Sequence, residues 1–151
     1  MKLAEALILR ADSKKRIEQL KTRLARSSKV QEGGTPPENP QELLAELERI
    51  AQEMVTLIQR INRTNAATQV EPGVSLADAL ATRDLLDIKL QIYRDLAQTA
   101  SVTQDIRTRS EVRYIATVEV ARIQSQADQI AKTRRELDTV IQALNWSTDL
   151  M

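Results

Sequence analysis

The chain has 151 residues, of which 42% are hydrophobic, 28% charged and only 2% aromatic, a balance that fits one folded domain and neither a disordered nor a membrane-embedded chain. Histidine and cysteine are absent, which excludes disulfides, zinc fingers, histidine-ligated haem, Cys or Ser-His nucleophiles and the Glu-x-x-His di-iron bundle. With 22 Lys or Arg against 21 Asp or Glu, the net charge of +1 gives no overall field toward nucleic acid or anionic membrane.

Three Gly and four Pro are too few to punctuate a many-stranded β protein, so long helices joined by few turns are expected. Met1-Lys2 precedes an apolar stretch that Glu5 and Arg10 interrupt, too short an apolar run for a secretory signal, and no window approaches the length of a spanning helix. A cytoplasmic location is therefore expected.

The first segment places Leu3, Leu7, Arg10, Ser13, Ile17, Leu20 and Leu24 at steps of three and four, the seam of an amphipathic helix. From Arg10 to Lys29 it carries eight Lys or Arg against two Asp or Glu, a net charge of +6. Gly33-Gly34-Thr35-Pro36-Pro37 then reads as a loop.

The second segment is predicted at about 40 to 64, with Leu43, Leu47, Ile50, Met54, Leu57 and Ile61 as its seam. Asn39 is its N-cap, Pro40 occupies the first helical position, and Glu42 sits where it completes a box-like cap. Its Glu38 to Glu53 stretch holds five Glu against one Arg, a net of −4, complementary to the first segment and favouring an antiparallel pairing of the two. Asn62 and Asn65 are read as ending this helix, because Asn tolerates left-handed C-cap geometry.

Glu71-Pro72-Gly73 predicts a type II turn, and Ser75 with Asp78 caps a third helix whose seam is Leu76, Leu80, Arg83, Leu86, Leu90, Tyr93 and Ala97. Between Ile106 and Val120 charged and apolar residues alternate. A short β-ribbon near 111 to 116, pairing with Lys29-Val30-Gln31-Glu32, is one reading, and helical continuation is the other. The fourth segment follows Ile123, Ala127, Ile130, Arg134, Leu137, Ile141 and Leu144.

Leu3-Ala4-Glu5-Ala6-Leu7 with Arg10 matches Leu76-Ala77-Asp78-Ala79-Leu80 with Arg83, and Ile58 to Asn62 echoes Ile141 to Asn145, so the halves read as an internal duplication. The expected fold is all-α and a single helical domain over 1–151. It comprises two long antiparallel αα-hairpins, about 2–65 and 76–147, forming a four-helix bundle within one chain or between chains, with the short β-ribbon at the hairpin tips.

Arg10, Arg83 and Arg134 stand where a seam calls for an apolar residue, and a buried guanidinium must be paired. Asp84, Asp87, Glu136 and Asp138 are available partners. The cluster is either a structural set of ion pairs fixing helix register or an anion-binding pocket. Trp146, next to Asn145 at the end of the fourth segment, is either an end plug or a subunit contact, and Asn145, Asn62 and Asn65 at the equivalent helix ends are candidates with it.

No EF-hand spacing or phosphate loop occurs, and one Trp and two Tyr are too few for a nucleic-acid stacking platform. Neither catalysis nor a cofactor or metal is expected.

The Leu3 to Arg10 opening, Lys29-Val30-Gln31-Glu32-Gly33, Ile61 to Thr68, Thr117-Val118-Glu119-Val120-Ala121 and Ile141 to Trp146 together resemble the septicolysin-like family of small bacterial helical proteins, over nearly the whole chain. The family name implies a membrane-damaging cytolysin, with no catalytic or pore residues to carry over. The function expected from the residues is that of a non-catalytic cytoplasmic helical-bundle protein acting through self-association or protein interaction, with a homo-oligomer formed through leftover apolar surface. A pore-forming cytolysin acting on membrane and a small-anion binder using the seam arginines are the alternatives.

Overall fold

The computed structural model describes residues 1–101 and 113–151. Four long helices dominate it: α1 (Leu3–Ser27), α2 (Pro40–Ala67), α3 (Leu76–Ser101) and α4 (Val120–Ser147). Two short strands, β1 (Gln69–Glu71) and β2 (Val74–Ser75), pair with each other between α2 and α3. The chain divides into two compact units, one of residues Met1–Gln69 with Ala143–Met151, the other of Val70–Gln142. The second hairpin thus gives its last helical turn and the chain's final residues to the first unit.

In the first unit α1 and α2 run antiparallel. Leu20, Leu43 and Ile50 form the buried cluster, with Ile17, Leu24 and Leu47 packed around it. The complementary charges read from the sequence meet along the same pair: Arg16 reaches Glu46 at 3.3 Å, and Arg23 binds Glu38, its Nε donating at 2.9 Å, while lying 3.8 Å from Glu46. Each pair is separated in the sense that an antiparallel register requires, so charge and apolar spacing select one alignment together.

α2 begins as its sequence dictates. The Asn39 Oδ1 accepts from the Gln41 backbone N–H at 3.0 Å, Pro40 stands at the first helical position, and the Asn39 side chain reaches Glu42 at 3.4 Å. Its far end departs from expectation. Asn62 and Asn65 lie inside the helix, which runs to Ala67 and stops because Thr68 turns extended to enter β1 (φ −76°, ψ 125°), its N–H still donating to the Thr64 carbonyl. No non-glycine residue takes positive φ among the described residues, so no left-handed Asn cap exists there.

The turn between β1 and β2 is Pro72-Gly73. Gly73 has φ +82°, the value that position i+2 of a type II turn needs, and proline presets the residue before it. The antiparallel ribbon therefore sits at this connection. At the positions expected for a ribbon, Lys29–Glu32 form no strand and neither do Arg113–Ala116, while 111 and 112 lie outside the described residues. Ser75 and Asp78 then close a full capping box on α3: the Ser75 N–H and hydroxyl both donate to Asp78 Oδ2, and the Asp78 N–H donates to Ser75 Oγ at 3.1 Å.

In the second unit α3 and α4 pair antiparallel around Leu90, Ala127 and Ala131, flanked by Tyr93 and Ile130. The two hairpins echo each other in detail. α1 and α3 have 25 and 26 residues, and α2 and α4 have 28 each. The acidic residue at the third helical position caps the start of both: Glu5 accepts the Lys2 N–H at 2.6 Å, as Asp78 accepts that of Ser75 at 2.9 Å. Leu3 and Leu76, which occupy matching places, are both fully buried.

Candidate functional site

Of the seam residues predicted for the four helices, all are buried or half-buried except Arg10. Arg10 belongs to the first unit, is exposed, and has no ion-pair partner among the described residues. Its long methylene stem can follow an apolar face while the guanidinium stays in water, so a seam position does not force burial on it.

Arg83 and Arg134 do come together. Both reach Asp138 on α4, Arg83 to one carboxylate oxygen at 3.5 Å and Arg134 to the other at 3.9 Å. Arg134 also forks onto Asp87 of α3, Nε to Oδ1 at 2.8 Å and an Nη to Oδ2 at 3.3 Å. Arg83 turns its second arm to Asp84 at 3.0 Å. The fourth acidic residue, Glu136, faces Lys132 instead, at 4.0 Å.

All five side chains retain solvent contact, so the cluster is half-buried rather than buried. Its hydrogen bond to Asp87 pushes the Arg134 guanidinium above its ordinary range, with the Asp87 charge adding to the effect. Two guanidiniums shared among three carboxylates leave no surplus of positive charge for an incoming anion. What the arrangement does is hold register: Asp87 and Arg134 meet only if α3 and α4 keep one alignment.

A second polar arrangement, within the first unit, had no signal in residue spacing. The final residues run back along the chain start: the Leu3 N–H donates to the Thr148 carbonyl and the Leu150 N–H to the Met1 carbonyl, each at 2.9 Å. Lys2 ties the same strap through Asp149 at 2.9 Å and the Ser147 carbonyl at 3.0 Å. That pairing with Lys2 holds the Asp149 carboxyl below the usual range. The Arg60 Nε donates to the Met151 carbonyl oxygen at 2.7 Å, and the Met151 N–H to the buried Thr64 hydroxyl at 3.0 Å. Asn145 is buried here, whereas Trp146 is 56% exposed.

Large apolar side chains remain on the surface of every helix. Ile8 and Leu9 on α1, Leu44 and Val55 on α2, Leu85, Ile88, Ile92 and Leu96 on α3, and Val140 and Trp146 on α4 are all exposed. On α3 they form a row. Between α3 and α4 there is also an open groove of about 520 Å³, lined by Ala97 and Ala127 with the polar Arg94, Gln98, Gln124 and Asp128. No cluster of three acidic residues suited to a metal ion occurs among the described residues. Nor is any helix there long and apolar enough to cross a membrane.

Residues 10–150 match the model of a family of unknown function, DUF6847. The chain belongs to that family. It is also similar to the crystal structure of a functionally unknown conserved protein from Corynebacterium diphtheriae, at 46% sequence identity, with 100% of this chain and 99% of that chain covered and a TM-score of 0.94. No curated protein matches the chain at a significant level. For this member of DUF6847, then, the residues themselves must carry the functional argument.

Residue spacing located the shared arginine cluster but missed two features. The strap from Thr148 to Met151 combines backbone pairing with side-chain contacts far apart in sequence, Lys2 to Asp149 and Arg60 and Thr64 to Met151, and so leaves no pattern to read. The exposed row on α3 did have a signal: α3 carries apolar residues at two sets of helical positions, and only one set can face α4.

Proposed function

We propose that this chain is a non-catalytic, cytoplasmic bacterial helical protein that acts by self-association, its hairpins serving as a rigid frame for an apolar contact surface. The observation that carries the reading is the set of large apolar side chains exposed on all four helices, four of them consecutive along one face of α3. A monomer gains nothing by keeping such a row in water, and contiguous apolar exposure marks contact surfaces. The half-buried Arg83, Arg134 and Asp138 set supports a framework role, since its charges are spent on one another. Sedimentation equilibrium of the full chain tests the proposal. A concentration-dependent shift from monomer to a defined oligomer in the micromolar range is expected, and a strictly monomeric species throughout that range would overturn it.

A further inference from the structure

We infer that α3 pairs in parallel with α3 of a second copy of this chain, Leu85, Ile88, Ile92 and Leu96 packing against their own counterparts and Asp84 of each copy facing Lys89 of the other. This rests on the self-association reading and names its face and its orientation.

Leu85 is 57% exposed, Ile88 and Ile92 are each 58% and Leu96 is 40%. At 100° per residue these four fall within an arc of about 80°. The buried residues of the same helix, Leu76, Ala79, Leu90 and Ala97, lie on the opposite side, where α4 packs. Ala81, also exposed, continues the row toward the helix start, giving a face of about 22 Å from Ala81 to Leu96. Its steps of four, three, four and four follow a nearly straight helix, so two such rows can stay in contact over their length without strong supercoiling.

The charges beside the row choose the occupant's direction. One flank carries Asp84, Gln91 and Asp95, and the other carries Lys89 with Thr82. An antiparallel copy would set like flank against like: with the two-fold axis near residue 90, Asp84 would face Asp95 and Lys89 would stand close to its own counterpart. A parallel copy sets opposite flanks together. A residue on one flank then meets the residue five positions further on the other flank of the partner, the relation that Asp84 bears to Lys89, and two-fold symmetry supplies it twice. Both groups are available. Arg83 contacts only Oδ1 of Asp84, leaving Oδ2 open, and Lys89 is exposed without an ion-pair partner among the described residues.

The test uses the full chain and its freedom from cysteine. Ile88→Glu places a charge at the centre of the row, and, because Ile88 is exposed, the monomer keeps its helical circular dichroism. The dimer dissociation constant is expected to rise by about 100-fold or more. Leu85→Cys alone should form a disulfide-linked dimer under mild oxidation, since parallel pairing puts residue 85 beside its own copy at disulfide distance. Asp84→Lys should weaken the dimer, and Asp84→Lys with Lys89→Asp should restore it.

If the chain dimerises but Ile88→Glu leaves the constant unchanged, self-association stands and the α3 face is overturned. If Leu85→Cys cross-links only when mixed with Leu96→Cys, the pairing is antiparallel and the proposed direction is overturned. A monomer at every concentration overturns both this inference and the reading beneath it.

Discussion

Leu20→Ala tests what holds the first hairpin together. Leu20 is 1% exposed, sits against Leu43 and Ile50, and is enclosed by Ile17, Leu24 and Leu47. Truncation removes three carbons, about 2.4 kcal/mol at roughly 0.8 kcal/mol per buried methylene. A cavity term adds to this, because Arg16 with Glu46 and Arg23 with Glu38 bridge the two helices at the same level and resist their closing over the gap. The greater helix propensity of alanine returns only a few tenths of a kcal/mol. The expected loss is about 3 to 4 kcal/mol, read from urea unfolding followed by far-ultraviolet circular dichroism. Leu44→Ala, at an exposed position of α2 in the same hairpin, is the control, and should cost under about 1 kcal/mol. A Leu20→Ala loss no larger than that of the control would mean that this cluster is not the hairpin's source of stability.

Three further outcomes are expected. Gly73→Ala should destabilise by about 1 to 2 kcal/mol with no change in fold, because Gly73 holds φ +82° and a Cβ there would meet no atom within 4 Å, so the whole cost is backbone strain; an unchanged urea midpoint would refute the turn assignment. Ser27→Ala should leave stability unchanged or raise it by up to about 1 kcal/mol, since the buried Ser27 hydroxyl has no hydrogen-bond partner among the described residues, and a clear loss in chemical unfolding would show that this oxygen is satisfied in solution. Acid should destabilise. Hydrogen bonds from Arg23, Ser75 and Lys2 hold Glu38, Asp78 and Asp149 below their ordinary values of 4.5, 3.8 and 3.8, so their contribution is complete above those values and disappears as pH falls through the lower folded ones. The urea midpoint should therefore fall on acidification through that range, and a midpoint that rose would reverse the sign of the argument.

The helices and their pairing were legible because each seam is a repeating pattern with one physical cause: a residue such as Leu90 or Ile50 every three or four positions has only one side of the helix on which to escape water. Caps were equally legible, since Asn39-Pro40 and Ser75 with Asp78 satisfy backbone groups by local geometry that no distant contact needs to complete. Asn62 and Asn65 misled because αL tolerance is a permission, not an instruction; the helix ends where Thr68 must extend into β1. Arg10 misled for a related reason. A guanidinium on a flexible stem is compatible with partial burial at Arg83, where Asp138 and Asp84 are within reach, and with exposure at Arg10, where no acidic residue pairs with it among the described residues, and the motif around the two is nearly the same.

The same reasoning separates the surface of α3, on which the proposed self-association rests, from its core. Leu76, Leu90 and Ala97 are accounted for by the fold, and the Arg83 and Arg134 pairs by helix register. Leu85, Ile88, Ile92 and Leu96 are accounted for by neither, since nothing in the hairpin requires apolar side chains at those positions. Lys or Glu there would serve α3 as well in a monomer, with greater solubility and equal helix propensity. Residues that the folding of one copy leaves unexplained, set in a row and flanked by opposite charges five positions apart, are what the proposed contact with a second copy would account for.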